Sequence, residues 1–233
     1  MSVTSPRWID DLPRDCLIAE FSVWSADLVR LADDLGRVDR HVDILHIDVA
    51  DGHFSPAMLF FPDLVAAVRK VSSRPIHVHL MVDDSIILSQ IEQFADAGAD
   101  LVSIHVENAT VAEAALDLLD RLGIAAGMVL KVDTPVEQAK PYIQRLRFVT
   151  LLGTAIGVKG QDLNDKAGDR LLEARQLIDD AGVERRIILA ADGGIREHTV
   201  PLLRQSRAET VVLGSLAFNA PSLDERMTWL REL

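Results

Sequence analysis

The sequence predicts an α/β protein with a single (β/α)8 barrel. Eight short apolar runs recur along the chain, and polar loops followed by segments of helical periodicity separate most of them. The runs are nearly continuously apolar, which is typical of parallel strands that are buried on both faces. Eight such units favour a closed barrel over an open doubly wound sheet, and no Gly-x-Gly-x-x-Gly motif follows the first run.

The apolar runs define eight predicted strands. They are Leu17–Ser22, Asp43–Val49, Pro75–Leu80, Leu101–Val106, Ala125–Lys131, Phe148–Leu152, Ile187–Ala191 and Thr210–Gly214. No Pro/Gly/Ser-rich linker divides the chain, so residues 16–233 are predicted to form one barrel domain. Residues 1–15 are polar and are predicted to be a short N-terminal extension, with Trp8 and Ile9 as anchors.

Helical periodicity is clearest in three segments between the strands. They are Ile87–Ala97, Val111–Leu122 and Leu171–Ala181. Ser25 is predicted to begin the first helix and Gly36 to end it, because these residue types favour the two helix termini. Gly98 and Gly123 are predicted to end the helices that precede strands 4 and 5.

Composition and charge exclude several classes of partner. The net charge of −12 argues against a nucleic-acid or anionic-membrane surface, since either requires a basic face. No apolar run reaches the ~20 residues that span a membrane. The single cysteine excludes an internal disulfide and fits a reducing compartment, so we expect a cytoplasmic protein. We also expect a homo-oligomer.

Polar side chains collect at the carboxyl ends of predicted strands 2, 3 and 7, where barrels of this class carry their sites. His46 and Asp48 share one face of strand 2, His79 lies near the end of strand 3, and Asp192 follows strand 7. Taken alone, His46 and Asp48 could equally be the polar tips of a surface strand. Together the four residues form a two-histidine, two-carboxylate set that suits Zn²⁺, with Fe²⁺, Mn²⁺ and Co²⁺ as alternatives.

Three neighbouring polar residues receive other interpretations. His77 lies lower on strand 3 and is predicted to be a hydrogen-bonded interior histidine rather than a ligand. His105, at the end of strand 4, could be part of a pocket wall or purely structural. Asp51 is expected to cap the turn at Gly52.

Glycines at the ends of the last three predicted strands indicate a phosphate-binding site. The residues in these loops are Gly157, Lys159, Gly160, Gly193, Gly194, Gly214 and Ser215. Glycine lets the backbone approach a phosphate closely, and exposed N–H groups beside a helix N-terminus bind anions. The alternative is that these glycines only permit tight turns, but three adjacent loops favour the phosphate site.

These motifs resemble those of the ribulose-phosphate 3-epimerase family over roughly residues 17–219. The matching segments are 22–27 (SVWSAD), 46–56 (HIDVADGHFSP), 79–82 (HLMV), 192–194 (DGG) and 214–215 (GS). The resemblance implies a (β/α)8 barrel that binds one divalent metal ion and inverts the carbon beside a ketose phosphate's carbonyl. It implies that His46, Asp48, His79 and Asp192 bind the metal and that Asp48 and Asp192 are the acid/base pair. It further implies that Ser22, His79 and Met81 contact the substrate.

Several residues depart from the family's usual pattern. Ala50 stands where the family usually has Met, and Lys131 stands in place of an Asn. The loop after strand 6 is one residue shorter and carries Lys159 in place of a glycine. Glu20-Phe21 replaces the usual Pro before Ser22. The metal and acid/base set is retained while the surrounding walls differ, so the identity of the sugar is less determined than the reaction.

The implied function is a metal-dependent conversion of D-ribulose 5-phosphate to D-xylulose 5-phosphate, by two-base proton transfer through an enediolate. Its expected ligands are a phosphorylated ketose and one Zn²⁺ per chain. Alternatives are a 3-epimerase of allulose 6-phosphate or of a tetrulose phosphate, a non-catalytic sugar-phosphate-binding barrel, and a decarboxylase or aldolase. The retained aspartates argue against the non-catalytic barrel. A decarboxylase-like site would need a lysine paired with aspartates on strand 2, and that strand contains no lysine.

Overall fold

The computed structural model describes residues 7–233, which form a closed barrel of eight parallel strands in sequential order. The strands are β1 Ile18–Ser22, β2 Ile44–Ala50, β3 Ile76–Met81, β4 Leu101–His105, β5 Ala125–Leu130, β6 Phe148–Leu152, β7 Ile188–Asp192 and β8 Thr210–Leu213. β8 pairs with β1 and closes the barrel. The predicted fold class is therefore confirmed.

Helices cover the outside of the barrel. The α-helices are α1 Leu31–Val38, α2 Pro62–Val71, α3 Ile87–Ala97, α4 Ala112–Leu122, α5 Ala167–Asp180, α6 Val200–Gln205, α7 Ser215–Phe218 and α8 Leu223–Arg231. α3 has its predicted bounds, and α3 and α4 end at Gly98 and Gly123 as predicted. Within residues 7–233, no helix combines the length and apolarity needed to cross a bilayer.

The predicted start and end of the first helix are wrong. Val23–Ser25 forms a separate 3-10 turn, and α1 begins after Arg30. The side chain of Asp27 accepts a hydrogen bond from the backbone N–H of Val29, which stabilises a turn where the helix was expected to begin. Gly36 lies inside α1, because an interior glycine costs only about 1 kcal/mol relative to alanine and does not by itself end a helix.

The crossover from β5 to β6 contains no α-helix in the part of the chain that the structure describes. Two 3-10 helices, Val136–Ala139 and Ile143–Arg145, take its place. Pro135 and Pro141 contribute to this difference, because each lacks a backbone N–H and cannot donate the hydrogen bond that a helix through it would need. The predicted alternation of strand and helix is therefore incomplete in this one unit.

An apolar cluster inside the barrel lies at the amino ends of the strands. Its members are Ile9, Leu12, Ile18, Ile44, Leu101, Ala125, Phe148, Ile188 and Ala190, and Trp8 packs against it. Ile9 and Leu12 come from the segment before β1, so residues 7–15 cover this end of the barrel. The division at residue 15 remains a prediction, and residues 1–6 of the predicted extension lie outside the described residues.

A layer of buried polar side chains follows the apolar cluster along the strands. Residues two apart on a strand share a face, so Ile18 is followed by Glu20 and Ile44 by His46. The buried polar residues of these strands include Glu20, His46, His77, Ser103, Thr150 and Thr210. The register pairs Ser22 with His46 and Asp48 with His79. The strands therefore change from apolar to polar toward the same end of the barrel, where the site lies.

Candidate active site

Four residues predicted from the sequence meet at the carboxyl end of the barrel. His46, Asp48, His79 and Asp192 each offer one ligand atom, and these atoms all lie within 4.8 Å of one another. Three of the side chains are buried and Asp192 is 19% exposed. Alternation along β2 places His46 and Asp48 on one face, the β2–β3 register sets Asp48 beside His79, and β7 contributes the fourth residue.

The geometry of this group fits a tetrahedral divalent ion. His46 Nε2 and His79 Nδ1 lie 3.1 and 3.3 Å from Asp48 Oδ1, and each lies 3.9 Å from Asp192 Oδ2. A tetrahedron with Zn–ligand bonds of ~2.0–2.1 Å has edges of about 3.3–3.4 Å. The donor atoms are therefore spaced as the corners of such a site, with small adjustments at Asp192.

The two aspartates differ in their affinity for a proton. Burial raises the pKa of Asp48, but attraction and hydrogen bonds from His46 and His79 outweigh burial and hold this pKa far below its usual range. Burial, together with repulsion by Asp48, raises the pKa of Asp192 to about 6 despite the attraction of His46. Ser22 Oγ also donates to Asp48 Oδ2 at 3.1 Å. The group therefore combines a firmly ionised carboxylate with one that binds a proton more readily.

Behind His46 lies Glu20, which the sequence motifs did not single out as a site residue. His46 Nδ1 lies 2.7 Å and His77 Nδ1 2.5 Å from the same oxygen, Glu20 Oε1. His77 Nε2 lies 2.6 Å from Ser103 Oγ. All four side chains are fully buried. His77 is thus the hydrogen-bonded interior histidine that was predicted.

His79 has an equivalent connection on its far side. Its Nε2 lies 2.8 Å from His105 Nε2, and His105 Nδ1 lies 3.0 Å from Glu107 Oε2. Glu107 also accepts hydrogen bonds from Thr134 Oγ1 and from the backbone N–H of Lys131. Burial lowers the pKa of His105 to about 4. A neutral His105 can therefore accept a hydrogen bond from His79 Nε2–H while its own Nδ1–H donates to Glu107.

A cavity of about 430 Å³ opens directly above the four-residue group. All ten residues predicted to contact a substrate line it: Ser22, His79, Met81, Gly157, Lys159, Gly160, Gly193, Gly194, Gly214 and Ser215. Asp48 and Asp192 also line the cavity, whereas His46 lies beneath it. The glycine loops therefore lie on the walls of the same cavity as the carboxylates.

Gly193 and Gly194 form a tight turn at the end of β7. Both have positive φ angles, 87° and 69°, which L-residues with side chains rarely adopt. A Cβ atom on Gly194 would lie 2.8 Å from the Cα atom of Leu163, and one on Gly193 would overlap Thr154 Oγ1. The turn therefore requires glycine for its own packing and exposes backbone at the cavity wall.

Two cationic side chains line the cavity, and only one of them was predicted. Lys159 Nζ donates to the backbone carbonyl of Trp24 at 2.6 Å and lies 4.4 Å from the centre of the Trp24 ring. This contact joins the loop after β6 to the turn after β1. Arg196, which follows the Gly193-Gly194 turn, also lines the cavity. Its position next to a glycine turn at a strand end was a signal that sequence reasoning overlooked.

Comparison with known proteins identifies the family. The sequence matches the Ribulose-phosphate 3 epimerase family over residues 18–218. The chain belongs to this family. It is 31% identical to a ribulose-phosphate 3-epimerase of Bacillus subtilis over 211 residues, which cover 90% of this chain and 96% of that protein. It is 34% identical to ribulose-phosphate 3-epimerase 1 of Cupriavidus necator, over 87% of this chain and 85% of that protein.

The family membership confirms the resemblance seen in the strand-end motifs. The chain is a ribulose-phosphate 3-epimerase-like isomerase. Among solved structures, a 3-hexulose-6-phosphate synthase superposes with a TM-score of 0.63 at 19% identity and covers 93% of this chain and 96% of its own. An orotidine 5'-phosphate decarboxylase from Pyrococcus horikoshii has the same TM-score at 14% identity, covering 91% and 97%. At these identities the superpositions show the shared barrel fold alone.

Proposed function

We propose that this protein interconverts D-ribulose 5-phosphate and D-xylulose 5-phosphate by inverting carbon 3. The observation that carries this proposal is the meeting of Asp48 and Asp192 at one cavity, on strands β2 and β7, within reach of the same pair of histidines. Inversion by proton transfer needs one group to remove a proton from one face of the carbon and another to return a proton to the opposite face. Two carboxylates from different strands can do both.

In this mechanism one aspartate takes the C3 proton and the other delivers a proton to the opposite face. The Ser22 hydroxyl holds Asp48 through its hydrogen bond and so orients that carboxylate toward the cavity. The loops after β6, β7 and β8 would bind the substrate's phosphate and align C3 between the aspartates. Bound substrate would displace water from the cavity above the two aspartates during the proton transfers.

The same four residues, His46, Asp48, His79 and Asp192, would hold one divalent metal ion, for which we propose Zn²⁺. The ion would supply a Lewis acid that stabilises the negative charge developing on the C2 and C3 oxygens. This contribution is needed because positioned acid–base groups supply only ~10²–10⁴-fold acceleration. Treating the protein with a chelator should therefore abolish epimerisation, and His79→Ala should lower the metal content. Full activity of a metal-free sample would contradict the proposed cofactor.

The phosphate group is proposed to bind between the glycine loops and the cationic wall of the cavity. Backbone N–H groups near Gly194 and Gly214, together with Lys159 and Arg196, provide the positive potential that this acidic protein otherwise lacks. A phosphorylated ketose should accordingly bind far more tightly than the free sugar. Equal affinity for the two, measured by calorimetry, would contradict the phosphate site.

A second candidate is the 3-epimerisation of another ketose phosphate, such as allulose 6-phosphate or a tetrulose phosphate. The Lys159–Trp24 contact favours this alternative, because it places a side chain across part of the cavity wall where the family usually has glycine. Turnover measured across a panel of ketose phosphates separates the two substrates. We further propose a cytoplasmic location, since the single cysteine fits a reducing compartment. A homo-oligomeric state is a separate proposal.

Epimerisation in D₂O tests the two-base mechanism. Because the delivering aspartate exchanges its proton with solvent, the product should carry deuterium at C3. Asp48→Asn and Asp192→Asn should each lower kcat by at least ~10²-fold, since asparagine cannot accept the proton. Metal content must be measured in both variants, because asparagine is also a poorer ligand. A variant that retains its metal and the wild-type rate would show that the substituted aspartate has no acid/base role.

A further inference from the structure

We propose that Glu20 is a positioning residue that orients His46 for metal binding. This inference rests on the proposed metal site and extends it to a residue outside the cavity. Glu20 is fully buried on β1, and its carboxylate oxygen Oε1 lies 2.7 Å from His46 Nδ1. Glu20 does not line the cavity and is not one of the four proposed ligands. It can therefore influence the metal only through His46.

The hydrogen bond determines which nitrogen of His46 is available to a metal. An ionised carboxylate only accepts hydrogen bonds, so Nδ1 must carry a proton when it faces Glu20. The neutral imidazole then has its lone pair on Nε2, the nitrogen that faces Asp48 and Asp192. A carboxylate on the far nitrogen of a ligating histidine also holds the ring in place and strengthens its basicity.

Glu20 is itself held in place from the opposite side. His77 Nδ1 lies 2.5 Å from the same oxygen, Oε1, and His77 Nε2 lies 2.6 Å from Ser103 Oγ. With a proton on Nδ1, His77 accepts the Ser103 hydroxyl proton at Nε2, so this chain of hydrogen bonds is internally consistent. Within residues 7–233, Glu20 Oε2 has no hydrogen-bond donor. Both histidines therefore donate to one oxygen, Glu20 Oε1, and the His77–Ser103 pair helps to fix its position.

Glu20, His46 and His77 could also be considered a second metal site, because their ligand atoms lie within 4.8 Å of one another. The packing argues against this. All three side chains have no exposed surface, and Glu20 and His77 line no part of the cavity. The short N–O distances are those of hydrogen bonds between imidazole and carboxylate. The role of Glu20 is thus to accept hydrogen bonds from two imidazoles.

Zinc affinity of the metal-free protein, measured by competition with a chromophoric chelator, tests the inference. Glu20→Gln is nearly isosteric and removes the charge, so the Kd for zinc should rise about 10-fold. Glu20→Met removes the acceptor as well, and the Kd should rise toward about 100-fold, as is typical when an outer partner of a ligating histidine is lost. Far-UV circular dichroism and urea unfolding of each variant establish that it is folded.

Thr210→Val is the matched control. Thr210 lies on β8 next to β1, is fully buried, and donates its hydroxyl to the Ile18 carbonyl at 3.0 Å. Thr210→Val should lower the free energy of unfolding without changing the zinc Kd. This comparison separates a positioning role of Glu20 from a purely structural one. If wild type binds zinc and both Glu20 variants bind it equally tightly, Glu20 has no such role and the metal site stands. If wild type binds no zinc, the proposed site and the role of Glu20 both fail.

Discussion

Gly127 on β5 should be intolerant of even a methyl group. A Cβ atom at this position would overlap Ser103 Oγ and would lie 3.1 Å from Ser103 Cβ and 3.3 Å from Phe148 Cβ. Ser103 cannot yield freely, because its hydroxyl bonds to His77 in the buried polar layer. Gly127→Ala is therefore predicted to disturb both packing and hydrogen bonding at the centre of the barrel.

The expected cost follows from these two effects. Overpacking a well-filled core typically costs ~1–3 kcal/mol, and leaving a buried donor or acceptor unpaired costs a further ~1–3 kcal/mol. Because one displacement of Ser103 relieves part of both, we expect Gly127→Ala to lower the free energy of unfolding by about 2–4 kcal/mol. For a chain of this size, that change corresponds to a Tm decrease of roughly 5–15 °C.

Urea unfolding of the metal-free protein measures this difference, with Gly36→Ala as the matched control. Gly36 lies inside α1 and has nothing within 4 Å of an added Cβ, so alanine there should raise stability by about 0.5–1 kcal/mol. The double variant Gly127→Ala/Ser103→Ala should recover part of the loss, because the overlapping hydroxyl is gone. An unchanged midpoint and slope for Gly127→Ala would refute the close packing inferred between β4, β5 and β6.

Two further predictions concern the walls of the cavity, and a third concerns Glu107, which supports His79 through His105. Lys159→Met should raise KM for a phosphorylated ketose more than it lowers kcat, because the hydrogen bond from Lys159 to the Trp24 carbonyl, which joins two loops at the cavity wall, is lost. Steady-state kinetics that show only a kcat effect would contradict this. Gly214→Val should weaken binding of the phosphorylated sugar but not of the free sugar, because the valine side chain would press on Ser25 at the cavity wall. Calorimetry with both sugars measures this difference. Hydrogen bonds and attraction from His105 outweigh burial and lower the pKa of Glu107 from 4.5 to about 2. The ionised form of Glu107 therefore stabilises the fold fully above about pH 4.5, and this stabilisation is lost as the pH falls toward 2. Glu107→Gln should therefore be less stable than wild type by on the order of 2 kcal/mol at pH 7, after allowing for partial exposure, and the gap should narrow at pH 3; a gap independent of pH would contradict the ionised state.

The sequence alone determined the architecture of this protein and the level at which its site lies. Strand and helix periodicities are local properties, so the bounds of α3 and the positions of all eight strands could be predicted from apolar spacing. The alternation in β2 likewise predicted that His46 and Asp48 share a face as that strand ends. Once eight parallel strands are inferred, their carboxyl ends must meet at one end of the barrel, which brings Asp192 to the same place.

Local patterns failed where two signals competed. Ser25 has the chemistry of a helix N-cap, but the Asp27 side chain stabilises a turn, and α1 begins only at Leu31. The crossover after β5 is long enough for a helix, yet its two prolines leave only 3-10 turns. In both places the decisive residues were visible in the sequence. Whether the helix signal or the turn signal prevails depends on backbone geometry that periodicity does not report.

Only the tertiary structure revealed which residues support His46 and His79, the histidines of the proposed metal site. Glu20 is 26 residues from His46 and 57 from His77 in sequence, and a carboxylate in a short strand carries no local sign of its partners. Likewise, His105 had two open interpretations until its contacts with His79 and Glu107 were seen. Closure of the barrel brings these groups within hydrogen-bonding distance in the buried interior, where leaving a polar group unpaired is costly. Such pairings depend on which strands become neighbours and in what register, and that is a property of the folded chain.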